Sequence, residues 1–177
     1  VNAPEDFHDR TCEIMDHYCG GKPFKVLESG QTRQQSSFIL AQAAQSDTVL
    51  LHETARPFVT QAMYQALLDD PEENAGYFHS IPFSMCKIDR KTKMVAKGVS
   101  REKVFDVQLP QKFNRDSLVA AHHAAIEAGK SYTEDSVMVT KMAGAKVHAL
   151  IGSSRNLKVT SQVDFTIAES FMESKKT

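Results

Sequence analysis

From Leu157 to Ile167 apolar and polar positions alternate: Leu157, Val159, Val163, Phe165 and Ile167 against Lys158, Thr160, Gln162, Asp164 and Thr166. A period of two predicts a strand with one buried and one wet face. Upstream, Pro82–Ile88 and Lys93–Val99 flank Asp89-Arg90-Lys91-Thr92 and predict a hairpin. A further strand is expected over Lys103–Leu109, closed by Pro110. A helix follows over Arg115–Gly129, capped by Asn114 or Asp116 and slim through its alanines. Strands are then expected over Val137–Met142 and Val147–Gly152, before the long last one.

The N-terminal half carries a different pattern. Pro4 and Glu5-Asp6 open a helix that Gly20-Gly21 stops. A short apolar run at Phe24–Leu27 precedes a helix over Arg33–Gln45, and a second run lies within Asp47–His52. Thr54 and Pro57 predict the start of a third helix that ends near Asp69-Asp70-Pro71. This half therefore reads as α-β-α-β-α or as all-helical, and the polar link over residues 69–76 is the expected boundary.

The fold class that follows is α+β. A two-layer domain is expected, with a mostly antiparallel sheet of about six strands in the order β-β-β-α-β-β-β from residue 82. Helices cover this sheet, and a helix-rich layer precedes it. The expected divisions are residues 1–70, 77–170 and a frayed tail over 171–177.

Size and composition add bounds. The chain has 177 residues, 41% hydrophobic and 24% charged, which suits one substantial core or two small ones. No apolar run is long enough to cross a membrane. The first residues lack the basic start and apolar core of a signal peptide, with a removed leader left open. Cys12, Cys19 and Cys86 make an odd count, which points to a reducing, cytoplasmic setting without disulfides. Residues 1–86 hold five Lys/Arg against twelve Asp/Glu, and residues 87–177 hold sixteen against ten. That asymmetry is expected to be neutralised within the fold.

Five features bear on chemistry. His8, Cys12, His17 and Cys19 resemble a ligand series, but they spread along about 16 Å of helix, too far for one tetrahedral ion, so no metal or other cofactor is expected. His122, on the apolar face of its helix, could act as a base toward Cys86, with His148 and Asp164 as other candidate neighbours. Gly30, Thr32 and Arg33 sit at a helix start that could hold an anion. Gln34, Gln35, Gln42 and Gln45 surround Phe38 on a charge-free helix face, the composition of an interface core. Arg90, Lys91, Lys93 and Lys97 form a basic hairpin with no aromatic interleaving, which argues against nucleic acid.

No coherent catalytic constellation emerges from these patterns. The sequence therefore points to a non-enzymatic interaction or assembly module, binding a protein partner or its own copy through the Phe38 face. The alternative is a ligand-binding protein or small enzyme with a pocket between helix 115–129 and the sheet, using His122 and Cys86.

Overall fold

Caps and glycines set the helix boundaries. In the computed structural model, which describes residues 1–173, α1 (His8–Tyr18) follows a 3-10 turn and ends at Gly20 and Gly21, both at positive φ. The Thr32 side chain accepts from the Gln35 amide to start α2 (Arg33–Ala43), and the Gln35 carboxamide reaches back to the Gln31 amide at 2.8 Å. The second bond reaches one residue beyond the N-cap amide that a capping box would use. Asn114, rather than Asp116, caps α4 (Arg115–Glu127). Past its end the Gly129 amide donates to the Ile126 carbonyl and the Lys130 amide to the Ala125 carbonyl, a Schellman closure with Gly129 at φ 60°.

Two units make up the chain: Val1–Val49 with Phe113–Val147, and the segment from Leu50 to Lys112 with the chain from His148 onward. In the first, β1 (Asn2–Ala3) pairs in parallel with β2 (Leu27–Glu28). α4 packs on α2 and on α5 (Asp135–Met142). Ala41, Leu118, Ala121, Ala125, Met138 and Val139 are fully buried there. The alanines permit the close helix approach expected of α4.

The second unit holds most of a four-stranded sheet with the order β3-β7-β4-β8, formed by β3 (Thr48–Leu51), β4 (Ala75–Ser80), β7 (Phe105–Asn114) and β8 (His148–Ile151). β4 runs antiparallel to β7 and parallel to β8. The sheet is therefore mixed, not mostly antiparallel, although the α+β class holds. α3 (Gln61–Asp69) covers it: Leu67 and Met63 pack with Ala75, Tyr77, Leu50 and Leu150, and the Tyr77 hydroxyl donates to the Met63 carbonyl at 2.9 Å. The expected hairpin is present as β5 (Met85–Ile88) and β6 (Val95–Val99), a separate two-stranded ribbon.

Several expectations need correction. Residues 157–167 form no strand: α6 (Gln162–Glu173) occupies most of that stretch. The Asp164 carboxylate accepts from the amides and hydroxyls of both Thr160 and Ser161, fixing a helix start that the alternation conceals. Val137–Met142 is also helical, as part of α5, with Ser136, Met138 and Val139 buried on one face. β4 is a further strand that the pattern conceals: Ala-Gly-Tyr-Phe-His-Ser holds the strand-favouring Tyr77 and Phe78 but no apolar–polar alternation. The order β-β-β-α-β-β-β from residue 82 therefore fails.

β7 does not stop at Pro110. A register shift opposite Gly76/Tyr77 absorbs the proline, and the strand continues to Asn114. The third helix starts at a Thr60 cap, not at Thr54. Residues 171–173 belong to α6, and the rest of the expected frayed tail lies outside the described residues.

Candidate active site

In sheets with parallel neighbours, ligands gather beyond the carboxyl ends of strands. The segments that follow β3 and β8 meet in the second unit, where the Val159 amide donates to the Ala55 carbonyl at 2.8 Å. That contact brings together charged residues far apart in sequence. The Lys158 ammonium lies 2.7 Å from Glu53 Oε2, and Arg56 Nε lies 2.8 Å from Glu53 Oε1. Glu53 thus uses both oxygens on cations.

Arg56 is 4% exposed. Its remaining bonds run from Nη1 to the Asn156 carbonyl at 2.7 Å and from Nη2 to the Val107 carbonyl at 3.2 Å. A guanidinium held on three sides is a fixed strut, which a lysine could not imitate. Burial pushes the Glu53 carboxyl up, but hydrogen bonds and charge from Lys158 and Arg56 outweigh it and hold the group below its usual range. The carboxylate is therefore ionised at neutral pH. His52 beside it is pushed down, chiefly by burial.

Beside this cluster lies an apolar cleft of about 690 Å³ lined by Ala55, Pro57, Phe58, Val159, Phe165 and Met172, among others. One wall is the α6 stripe Phe165, Ala168, Glu169 and Met172, the i, i+3, i+4, i+7 spacing of a helix face. A partly exposed lysine held by an ionised carboxylate and backed by a buried arginine is a ready receptor for a phosphate group.

The sequence-expected residues lie elsewhere. Phe38 is partly buried and stacks on His122 with ring centroids 5.0 Å apart, its edge also meeting His123. Gln34 accepts from the Tyr132 amide at 2.7 Å, Gln35 belongs to the cap, and Gln42 and Gln45 are exposed. Phe38, Gln34 and Gln35 thus make contacts within their own unit, while Gln42 and Gln45 remain exposed. At the proposed anion turn, the Gly30 amide donates to Ser36 Oγ and Thr32 is the N-cap. Arg33 pairs with Asp135 at 3.0 Å and approaches Glu134 at 3.8 Å.

His122 is buried, 3.7 Å from Asp135. Burial lowers its proton affinity against the pull of that carboxylate. It belongs to the first unit and Cys86 to the second, where the Cys86 thiol is exposed. His148 bonds Asp70, and Asp164 caps α6. Arg90, Lys91, Lys93 and Lys97 are exposed around the hairpin turn, where Asp89 accepts from the Lys91 and Thr92 amides. His8 bonds the Ala3 carbonyl, and Cys12 and Cys19 are free cysteines, the Cys19 thiol lying 3.9 Å from Met15 Sδ. Among the described residues, no group of three or more His, Cys, Asp or Glu side chains is placed to share a metal ion. No helix among them is long and apolar enough to cross a membrane.

Sequence reasoning missed Glu53, Arg56, Asn156 and Lys158. The signal was present in His52-Glu53-Thr54-Ala55-Arg56-Pro57: two opposite charges set just after the apolar run Val49–Leu51.

The fold places the chain in a class of nucleotidyltransferase-like α+β proteins. It superposes with a TM-score of 0.84 on the 4-diphosphocytidyl-2C-methyl-D-erythritol synthase of Anaerococcus prevotii, at 21% identity over 97% of this chain and 77% of that one. The 2-C-methyl-D-erythritol 4-phosphate cytidylyltransferase of Thermus thermophilus gives 0.75 at 28% identity, over 87% and 78% of the two chains. The sequence of the corresponding Bacillus cereus enzyme is 32% identical over 93% of this chain and 73% of its own length. Residues 4–174 match the IspD family, 2-C-methyl-D-erythritol 4-phosphate cytidylyltransferase, and the chain belongs to that family. This overturns the expectation of a non-enzymatic interaction module: the relatives are enzymes over nearly the whole chain.

Proposed function

We propose that this chain transfers a cytidylyl group from CTP to 2-C-methyl-D-erythritol 4-phosphate, with Lys158 as the residue that faces the reacting phosphates. The single observation that carries the residue assignment is the Lys158–Glu53–Arg56 cluster beyond the carboxyl ends of β3 and β8. In the reaction, an oxygen of the 4-phosphate attacks the α-phosphorus of CTP. The bond from that phosphorus to the bridging oxygen of the β-phosphate breaks, and pyrophosphate leaves with the electron pair. The product is a diphosphate ester joining cytidine to the methylerythritol.

Negative charge accumulates on the oxygens around the α-phosphorus, and catalysis requires fixed positive charge aimed at it. The Lys158 side chain is 43% exposed, so its ammonium is accessible to a phosphate while Glu53 holds it in place. Arg56 is buried and fully directed to Glu53 and two backbone carbonyls, so it acts as a positioning residue and not as a substrate contact.

Lys158→Ala should lower the kcat for pyrophosphate release from CTP and methylerythritol phosphate by on the order of 10²–10³-fold, with the circular dichroism spectrum unchanged. Activity within about twofold of the parent would refute the assignment of Lys158. A parent chain with no transfer under any substrate condition would refute the activity itself.

A further inference from the structure

The turn that delivers Lys158 is held by a side chain that mimics a neighbouring strand. Gln108 of β7 is 3% exposed. Its Oε1 accepts from the Ser153 amide at 3.1 Å, and its Nε2 donates to the Ser153 carbonyl at 3.1 Å and to Asp106 Oδ2 at 3.2 Å. One carboxamide thus reads both backbone groups of a single residue, as an antiparallel strand would.

Asn156, 2% exposed, completes the arrangement. Its Nδ2 donates to the Leu109 carbonyl at 2.8 Å and leans on Gln108 Oε1 at 3.4 Å, while its own carbonyl accepts from Arg56. The approach is close enough to exclude a side chain at Gly152. A Cβ there would lie 2.8 Å from Gln108 Oε1 and 2.9 Å from the His79 backbone nitrogen. Lys158 follows Asn156 by two residues, and the Arg56 bond to Asn156 links the turn to Glu53.

We infer that Gln108 and Asn156 are positioning residues for the transfer reaction: they fix the 152–156 turn on β7 and so set where the Lys158 ammonium sits. The inference rests on the assignment of Lys158 as the phosphate-facing residue. A carboxamide is required because the turn presents a donor and an acceptor together. Gln108→Glu keeps the shape but sets a carboxylate oxygen against the Ser153 carbonyl and against Asp106. Protonation of that carboxyl restores a donor. The nearby Asp106 charge favours the protonated form, so restoration begins above the usual carboxylate range.

The test compares the parent chain with Gln108→Glu, Asn156→Asp and Lys158→Ala, by steady-state kinetics from about pH 8 to pH 5.5 and by amide exchange over residues 152–158. In Gln108→Glu, kcat should fall on the order of tenfold to hundredfold at pH 8, the scale of a misplaced catalytic group, with a smaller change in KM. The variant-to-parent ratio should recover as pH falls, and exchange across the turn should speed up while that of β4 and α3 does not. Asn156→Asp should show the same exchange signature.

Parent-like exchange of the turn in both variants would overturn the inference whatever the activity. Parent-like kcat at every pH in Gln108→Glu, with Lys158→Ala inactive, would also overturn it while leaving the assignment of Lys158 intact. An active Lys158→Ala would remove that assignment instead. If Gln108→Glu fails to fold, Asn156→Asp decides.

Discussion

His122 meets two opposing demands: its ring is stacked on Phe38 and sealed from water, yet the Asp135 carboxylate stands 3.7 Å away. Burial wins, and its proton affinity is lower than that of an exposed histidine. Protonation therefore favours the unfolded chain. The contribution to stability is complete above the ordinary histidine value of about 6.5 and is lost as pH falls through the lower folded-state value. We predict that the urea midpoint of the parent falls more steeply below about pH 6.5 than that of His122→Gln. The difference is bounded by one proton, about 1.4 kcal/mol per pH unit. His52 shifts in the same direction, so the variant keeps some slope. Identical pH profiles would mean that His122 is not held neutral. The sequence placed this ring correctly on a buried helix face but offered no way to see that its neighbours would be Phe38 and Asp135 rather than Cys86.

At the scale of elements, what was legible is what local chemistry decides. A helix start at Thr32-Arg33, a cap at Asn114 and a stop at Gly20-Gly21 are readable in the sequence and the structure uses them, whereas the cap expected at Thr54 falls at Thr60. The misreading of residues 157–167 has an equally local cause. Leu157 and Val159 lie before α6 in chain without regular structure, and Val163, Phe165 and Ile167 continue their alternation by coincidence. Read at helical spacing, Phe165, Ala168, Glu169 and Met172 form the stripe that lines the cleft. The deciding signal was Ser161 three residues before Asp164, which gathers amides and hydroxyls onto one carboxylate. Backbone hydrogen bonds, above all from Thr160, hold that carboxyl below its usual range, so the cap persists from neutral pH down into mild acid. Asp164→Ala should speed amide exchange at Thr160, Ser161 and the first turn of α6 while leaving β8 at parent rates. Unchanged exchange at that turn would mean that the apolar stripe alone starts the helix.

The whole molecule supplies what neither residue nor element could show. Glu53 and Lys158 are 105 residues apart in sequence, and no periodicity brings them together; the segments beyond β3 and β8 do, where the Val159 amide donates to the Ala55 carbonyl. Their segments leave strands at opposite edges of the β3-β7-β4-β8 sheet, so the site exists only once the chain has folded. A ligand that needs both must therefore oppose global unfolding. If CTP binds through Lys158, free nucleotide at about a hundredfold excess over its Kd adds about 2.7 kcal/mol to the folded state. For a chain of this size that corresponds to a rise in Tm of about 5–10 °C. Lys158→Ala should melt near the parent without nucleotide, because a partly exposed ion pair contributes little by itself, and should need far more CTP for the same rise. Inorganic phosphate separates simple charge from recognition: it should shift Tm less than CTP at equal concentration. An equal rise with CTP in the parent and in Lys158→Ala would place the nucleotide elsewhere on the chain, and the proposed role of the Lys158–Glu53 pair would fall with it.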